Sequence, residues 1–251
     1  MIPMAAAGFQ LLMVSTTLCV VLLPSVGNAA SVFSSPTQPL NSTEPGLALL
    51  SGVVAASHVR RKRATSSKEM KVLLDYHNRV RSQVFPPAAN MEYMLWDEGL
   101  AKSADSWASR CVWDHGPTQA MKYMGQNLSV TSGRYQSITD LVRSWYNERH
   151  RFSYPNKCSG SVCSHYTQMV WASSSRLGCA VRRCSNMHVF GSTWREATIL
   201  VCNYAIKGNW VREAPYKRGK PCSLCPSTYG GSCWRNQSIE ISNYHYFYTE
   251  F

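Results

Sequence analysis

The chain has 251 residues, with 26 Lys+Arg against 14 Asp+Glu and a formal net charge of +12. Only 16% of residues are charged and 11% are aromatic, which excludes a disordered chain, and the length is ample for one buried core plus appendages. Ten cysteines point to metal or redox chemistry in a reducing compartment, or to disulfides in an oxidising one.

The N-terminus decides between the two. Residues 9–23 (FQLLMVSTTLCVVLL) are almost wholly apolar and are followed by Pro24, Gly27, Ala29 and Ala30. A membrane-spanning helix needs about 20 apolar residues, so this shorter run reads as a signal peptide over 1–30 rather than an anchor. The mature protein is therefore expected to be secreted and extracellular, without a membrane span. Residues 31–63 form a Ser-, Pro-, Ala- and Thr-rich pro-segment with a sequon at Asn41, ending in Arg60-Arg61-Lys62-Arg63. Four consecutive cations at this boundary read as a furin-type cleavage site; as a solvated run they would bind anionic polymers instead. Cleavage leaves 22 Lys+Arg and 13 Asp+Glu, a formal +9, and nine cysteines once Cys19 has left.

Beyond the cleavage site the sequence is patterned. Ser66-Ser67-Lys68-Glu69 predicts a capping box, and Met70, Leu73, Leu74, His77 and Val80 share one face of the helix that follows. Pro86-Pro87 closes this segment. A second helix is predicted over 98–110 through Leu100, Ala101, Ala104, Trp107 and Ala108, and a third over 137–149 through Ile138, Leu141, Val142 and Trp145. Residues 177–183 and 198–204 are β-leaning, each carries a cysteine, and both are read as strands. Helices at the front and strands at the back suggest an α+β layered domain.

Four motifs occur in order: His77-Asn78-Arg79-Val80-Arg81, Gly125-Gln126-Asn127-Leu128, Ser164-His165-Tyr166-Thr167-Gln168-Met169-Val170-Trp171, and Val201-Cys202-Asn203-Tyr204-Ala205-Ile206-Lys207-Gly208-Asn209-Trp210. Together they resemble the CAP superfamily of cysteine-rich secretory, antigen 5 and pathogenesis-related 1 proteins. The resemblance implies a three-layer α–β–α sandwich over 64–215, with a helical HYTQMVW segment, and a truncated Cys-rich, hinge-like tail over 216–251. Ile206 stands where the family usually has Pro, and Ser164 where it often has Gly. Sequence alone leaves 15 pairings for the six domain cysteines; the resemblance implies Cys111–Cys184, Cys158–Cys163 and Cys179–Cys202. In the tail Cys222–Cys233 is expected, leaving Cys225 free. A zinc site of Cys222, Cys225, Cys233 and His245 is the alternative, which the extracellular context opposes. From about Trp234 the resemblance stops, and that end is given little functional weight.

The resemblance also marks a polar cavity. His115 and His165 fall at its two histidine positions, and Glu148 and Gln126 at its two acid positions, one of them an amide here. Two imidazoles supply half of a tetrahedral Zn²⁺ shell, with Glu148 orienting water or a histidine N–H. Gln126 removes a negative charge and a general base but keeps hydrogen-bonding capacity, so weak Zn²⁺ binding is expected and no cofactor is required. No H-E-x-x-H helix and no G-x-S-x-G elbow occurs, and Ser164 beside His165 is not a nucleophile–base pair by spacing alone, so an enzyme is not expected.

The proteins most resembled are similar to a weak trypsin inhibitor, and this resemblance implies a trypsin-type serine peptidase as partner. Basic residues suited to such a partner are Arg182-Arg183, between two cysteines, and Lys217 and Arg218 in the tail. The alternative is an extracellular sterol- or lipid-binding, or divalent-metal-binding, CAP protein. However, Trp96, Trp107, Trp145 and Trp171 lie at core-like positions. The basic charge fits acidic extracellular glycans, and no nucleic-acid recognition motif is present. Further sequons lie at Asn127, inside a motif where burial would block it, and at Asn236.

Overall fold

A computed structural model describes residues 65–133 and 137–240. The expected signal peptide, pro-segment, basic run 60–63, Asn41 and His245 lie outside the described residues.

Helix α1 (Ser67–Ser82) starts at the predicted capping box: the Ser66 hydroxyl accepts from Glu69 N–H, and the Glu69 carboxylate accepts from Ser66 N–H at 2.9 Å. Leu73, His77 and Val80 follow at helical spacing and are buried. Strand β1 (Leu95–Trp96) leads into α2 (Glu98–Ala108), whose N-cap Asp97 accepts from Leu100 N–H at 2.8 Å. The inward face of α2 carries Ala104 and Ala108, both fully buried. Such small residues let the helix lie close on the sheet. Gly178 completes that approach, since a Cβ there would sit 2.2 Å from Ala101 N.

Strand β2 (Gly125–Ser132) precedes α3 (Ile138–Asn147), which buries Ile138, Leu141, Val142 and Trp145 along one stripe. A small ribbon of β3 (Phe152–Ser153) and β4 (Lys157–Cys158) leads to the short α4 (Ser164–Met169). Strands β5 (Arg176–Val189) and β6 (Ser192–Ala205) form a long antiparallel hairpin. The main sheet runs β1-β5-β6-β2, with β1 parallel to β5 and the other pairs antiparallel. One core joins α1, α3 and α4 to the sheet through Leu73, Trp145, Met169, Leu177 and Tyr204. The other joins α2 through Ala104, Ala180, Ile199 and Val201. This is the three-layer α–β–α architecture expected.

The four expected disulfides are formed, Cys111–Cys184, Cys158–Cys163, Cys179–Cys202 and Cys222–Cys233, and Cys225 is free. A zinc set of Cys222, Cys225 and Cys233 is thereby removed, because two of its thiolates are spent in a disulfide. The periodicity placed helix ends within about two residues but saw only the inner halves of β5 and β6. It did not mark β2 as a strand.

The chain end is packed as well. The last hairpin, β7 (Cys233–Trp234) and β8 (Gln237–Ser238), packs into the domain, with Gln237, Ser238 and Ile239 buried. Ser238 N–H donates to Met91 O at 2.7 Å, and Tyr93 N–H donates to Ser238 O at 2.9 Å. Residues to Glu240 are built into the fold.

Candidate functional site

The site is built on two consecutive residues of β2, whose side chains leave opposite faces of the sheet. Gln126 serves the α2 side. Its amide oxygen accepts from His115 Nδ1 at 3.1 Å and from Gly116 N–H at 3.1 Å, while its Nε2 donates to Gly116 O and Asn203 Oδ1, each at 3.0 Å. The side chain is saturated at both ends, as a buried amide requires. Its partner Asn203 sits directly opposite in the β2–β6 register. His115 therefore donates through Nδ1, which leaves Nε2 on the far edge of the ring.

Asn127 serves the helical side, donating through Nδ2 to His165 O at 3.0 Å and to Tyr204 Oη at 3.1 Å. Tyr204 in turn donates to His77 Nε2 at 2.9 Å, and His77 Nδ1 donates to Leu73 O at 2.7 Å. All three side chains of this relay are buried. Burial pushes His77 down to about 4, with Arg81 lowering it further and the Leu73 carbonyl opposing, so the ring is neutral at pH 7. Burial likewise raises the Tyr204 phenol far above its ordinary range. At 2% exposure Asn127 is closed to glycosylation in the folded chain.

His165 is fixed from three directions. Glu148, in the turn after α3, receives His165 Nδ1 at 2.5 Å on one oxygen, and the N–H groups of His165 and Tyr166 at 3.1 and 3.0 Å on the other. One carboxylate thus caps the first turn of α4 and sets the imidazole tautomer. The Trp145 ring stacks on His165 with centroids 6.4 Å apart, and its own N–H donates to Leu128 O. The backbone crosses close beside: a Cβ on Gly125 would meet Gln168 Oε1 at 2.2 Å.

The four predicted residues thus form two pairs, His115 with Gln126 and His165 with Glu148. Among the described residues no hydrogen bond joins one pair to the other, and no group of three or more His, Cys, Asp or Glu side chains is placed to hold a metal ion. The donor chemistry nevertheless suits a cation, because both rings have Nδ1 committed and Nε2 left over. Asn127, Asn203, Tyr204 and His77 all lie in the quoted motifs, yet the sequence marks His77 only as a helix-face residue and Asn127 only as a sequon. Their signal is a polar residue at a position where strand or helix period demands burial.

The basic candidates fare differently. Arg182 lies in β5 with its guanidinium bound by both oxygens of Asp105, at 2.7 and 2.8 Å. Lys217 and Arg218 are exposed, and their main chain is pinned: Ala89 N–H donates to Lys217 O, Lys217 N–H to Asn90 Oδ1 and Arg218 N–H to Tyr154 Oη. Of the four tryptophans, Trp145 and Trp171 are buried and Trp96 and Trp107 half-buried in the core.

Fold and motifs together define a CAP-domain protein. A sequence profile described as "Cysteine-rich secretory protein family", CAP, matches residues 74–204, and the chain belongs to that family. It is 51% identical to peptidase inhibitor 15 of Homo sapiens over 256 aligned positions, covering 97% of this chain and 96% of that protein. It is 60% identical to peptidase inhibitor R3HDML of Mus musculus over 197, covering 74% and 78%. The solved structure of NaASP2 with Zn²⁺ aligns with a TM-score of 0.57 at 27% identity, over 69% of this chain and 98% of that one. These curated relatives are named as inhibitors of peptidases rather than as peptidases, in agreement with a non-enzymatic protein.

Proposed function

We propose that this chain acts by binding a trypsin-type serine peptidase as a weak inhibitor, secreted after removal of 1–30 and cleavage at 60–63. The observation that carries this is its 51% identity to peptidase inhibitor 15 across 97% of the chain. Lys217 and Arg218 are the residues that face the peptidase. A protease reads a basic side chain on a rigid, exposed backbone, and a main chain already pinned loses little entropy on binding. Arg182, held by Asp105, does not serve. Slowing of trypsin should be lost in a Lys217→Ala, Arg218→Ala double variant; undiminished slowing sinks this segment as the contact.

A second reading is weak divalent-metal binding by His115 and His165 through Nε2. Two observations favour it: the shared tautomer, and the Zn²⁺ in the NaASP2 structure. Bound there, the ion would supply a positive charge and a Lewis-acidic centre. With an amide at Gln126, Glu148 is the one carboxylate that meets either imidazole ring among the described residues, so affinity stays low. Metal analysis after dialysis should find zinc in the parent and none in a His115→Ala, His165→Ala variant, and a metal-free parent would end the reading.

A further inference from the structure

Where the C-terminal end of α1 meets the β7–β8 turn, the surface holds an open groove of about 420 Å³ lined by Arg79, Ser82, Gln83, Arg235 and Asn236. We propose that this groove binds a sulfated saccharide. The last carbonyls of α1 are already satisfied. Arg79 O accepts from Ser82 Oγ at 2.8 Å, Val80 O from Gln83 N–H at 3.2 Å and Ser82 O from Asn236 Nδ2 at 3.0 Å. The two guanidinium groups are therefore not needed as helix caps. Each lies over an aromatic ring, Arg79 over Tyr76 and Arg235 over Trp234, both 5.7 Å from the centroid. Neither takes part in an ion pair among the described residues; Asp75, one turn back from Arg79, is 3.9 Å from Lys71. Two positive charges thus share one concavity whose lining residues include no carboxylate.

The backbone adds an independent sign. Arg235 and Asn236 turn the hairpin with φ of 47° and 63°. Two-residue turns of this kind favour Asn-Gly, and an arginine in the first position sits in a conformation its side chain disfavours. Local preference is broken where the charge enters the groove. The ligand class follows from size and donors. The groove is longer than a bare ion and open along one side, a shape that suits a chain laid across it. Guanidinium forks suit a sulfate. The Asn236 Oδ1 and the Ser82 Oγ lone pairs, left over from the bonds above, accept from sugar hydroxyls.

The test uses the full secreted chain and a heparin hexasaccharide, by calorimetry at fixed salt. Arg79→Ala, Arg235→Ala should weaken binding at least about tenfold, while Lys102→Ala, Arg195→Ala, an equal charge loss elsewhere, should leave it unchanged. Arg235→Asn should unfold no earlier than the parent, since Asn suits the turn, and still bind several-fold more weakly. Equal loss in both double variants, no loss in either, or binding to phosphatidylserine vesicles without binding to the hexasaccharide would overturn the proposal. So would a glycan on Asn236 in the intact mass, because it would fill the groove.

Discussion

His77 shows how one residue links sequence, core and stability. Its spacing on α1 puts it on the apolar face, and burial is then tolerable only because Leu73 O and Tyr204 Oη occupy both ring nitrogens. The ring stays neutral down to about pH 4, whereas in the unfolded chain it takes a proton near 6.5. Between these values the unfolded state binds more protons. The stability His77 contributes is therefore whole above about 6.5 and is lost as pH falls towards 4, by up to about 3 kcal/mol. Urea titrations at pH 7 and pH 4.5 should show this loss in the parent and a smaller one in His77→Gln; equal pH dependence would refute the assignment. Arg81 is the same lesson with a cation. Fully buried, it donates to the carbonyls of Glu92, Met169, Trp171 and Ala172 and stays charged at pH 7 although burial lowers it to about 9. The HNRVR motif announces neither Tyr204 nor the four carbonyls around Arg81, because these are supplied from outside the helix.

At the scale of elements, α4 is too short to stand alone, and nothing in its own sequence caps it. Glu148 does so from the turn after α3. Glu148→Ala should cost about 1–2 kcal/mol in chemical denaturation and release the His165 ring from its Nδ1–H tautomer, visible in imidazole nitrogen shifts; an unchanged tautomer would show that Glu148 does not set it. The same element explains what sequence made legible. Helices α1, α2 and α3 carry a 3.6-residue apolar stripe, and their burial follows it. α4 is only six residues long, with Tyr166 and Met169 its apolar members, too short to show a period, and its helix is an expectation of the family resemblance alone. The outer hairpin halves, with Ser185, His188, Thr193 and Glu196 exposed, lack the apolar content that marks a strand. β2 begins Gly-Gln-Asn, which reads as a turn until the pairing with β6 satisfies its polar side chains. Of the candidate site, the two histidines and Glu148 were legible as positions, but the bonds of Gln126 to Gly116 and Asn203 depend on a strand that was not.

For the whole molecule, the ten cysteines and the +12 charge with which the sequence opens divide into parts with different roles. Eight cysteines close four bridges: Cys111–Cys184 ties the loop after α2 to β5, Cys179–Cys202 crosses from β5 to β6, Cys158–Cys163 ties β4 to the start of α4, and Cys222–Cys233 ties the tail hairpin to the preceding loop, while Cys225 stays free. Of the cations, Arg81 and Arg182 are spent inside the fold, four lie in the basic run 60–63, and Lys217 with Arg218 stands exposed on a pinned backbone. A binding protein needs only that last arrangement, with no nucleophile behind it. The central claim is therefore tested most directly by titrating trypsin with the intact, processed protein while following both trypsin activity and the mass of the added chain. The account predicts saturable slowing at micromolar excess with no peptide turnover by the protein itself. Trypsin running at full rate throughout the titration would contradict it.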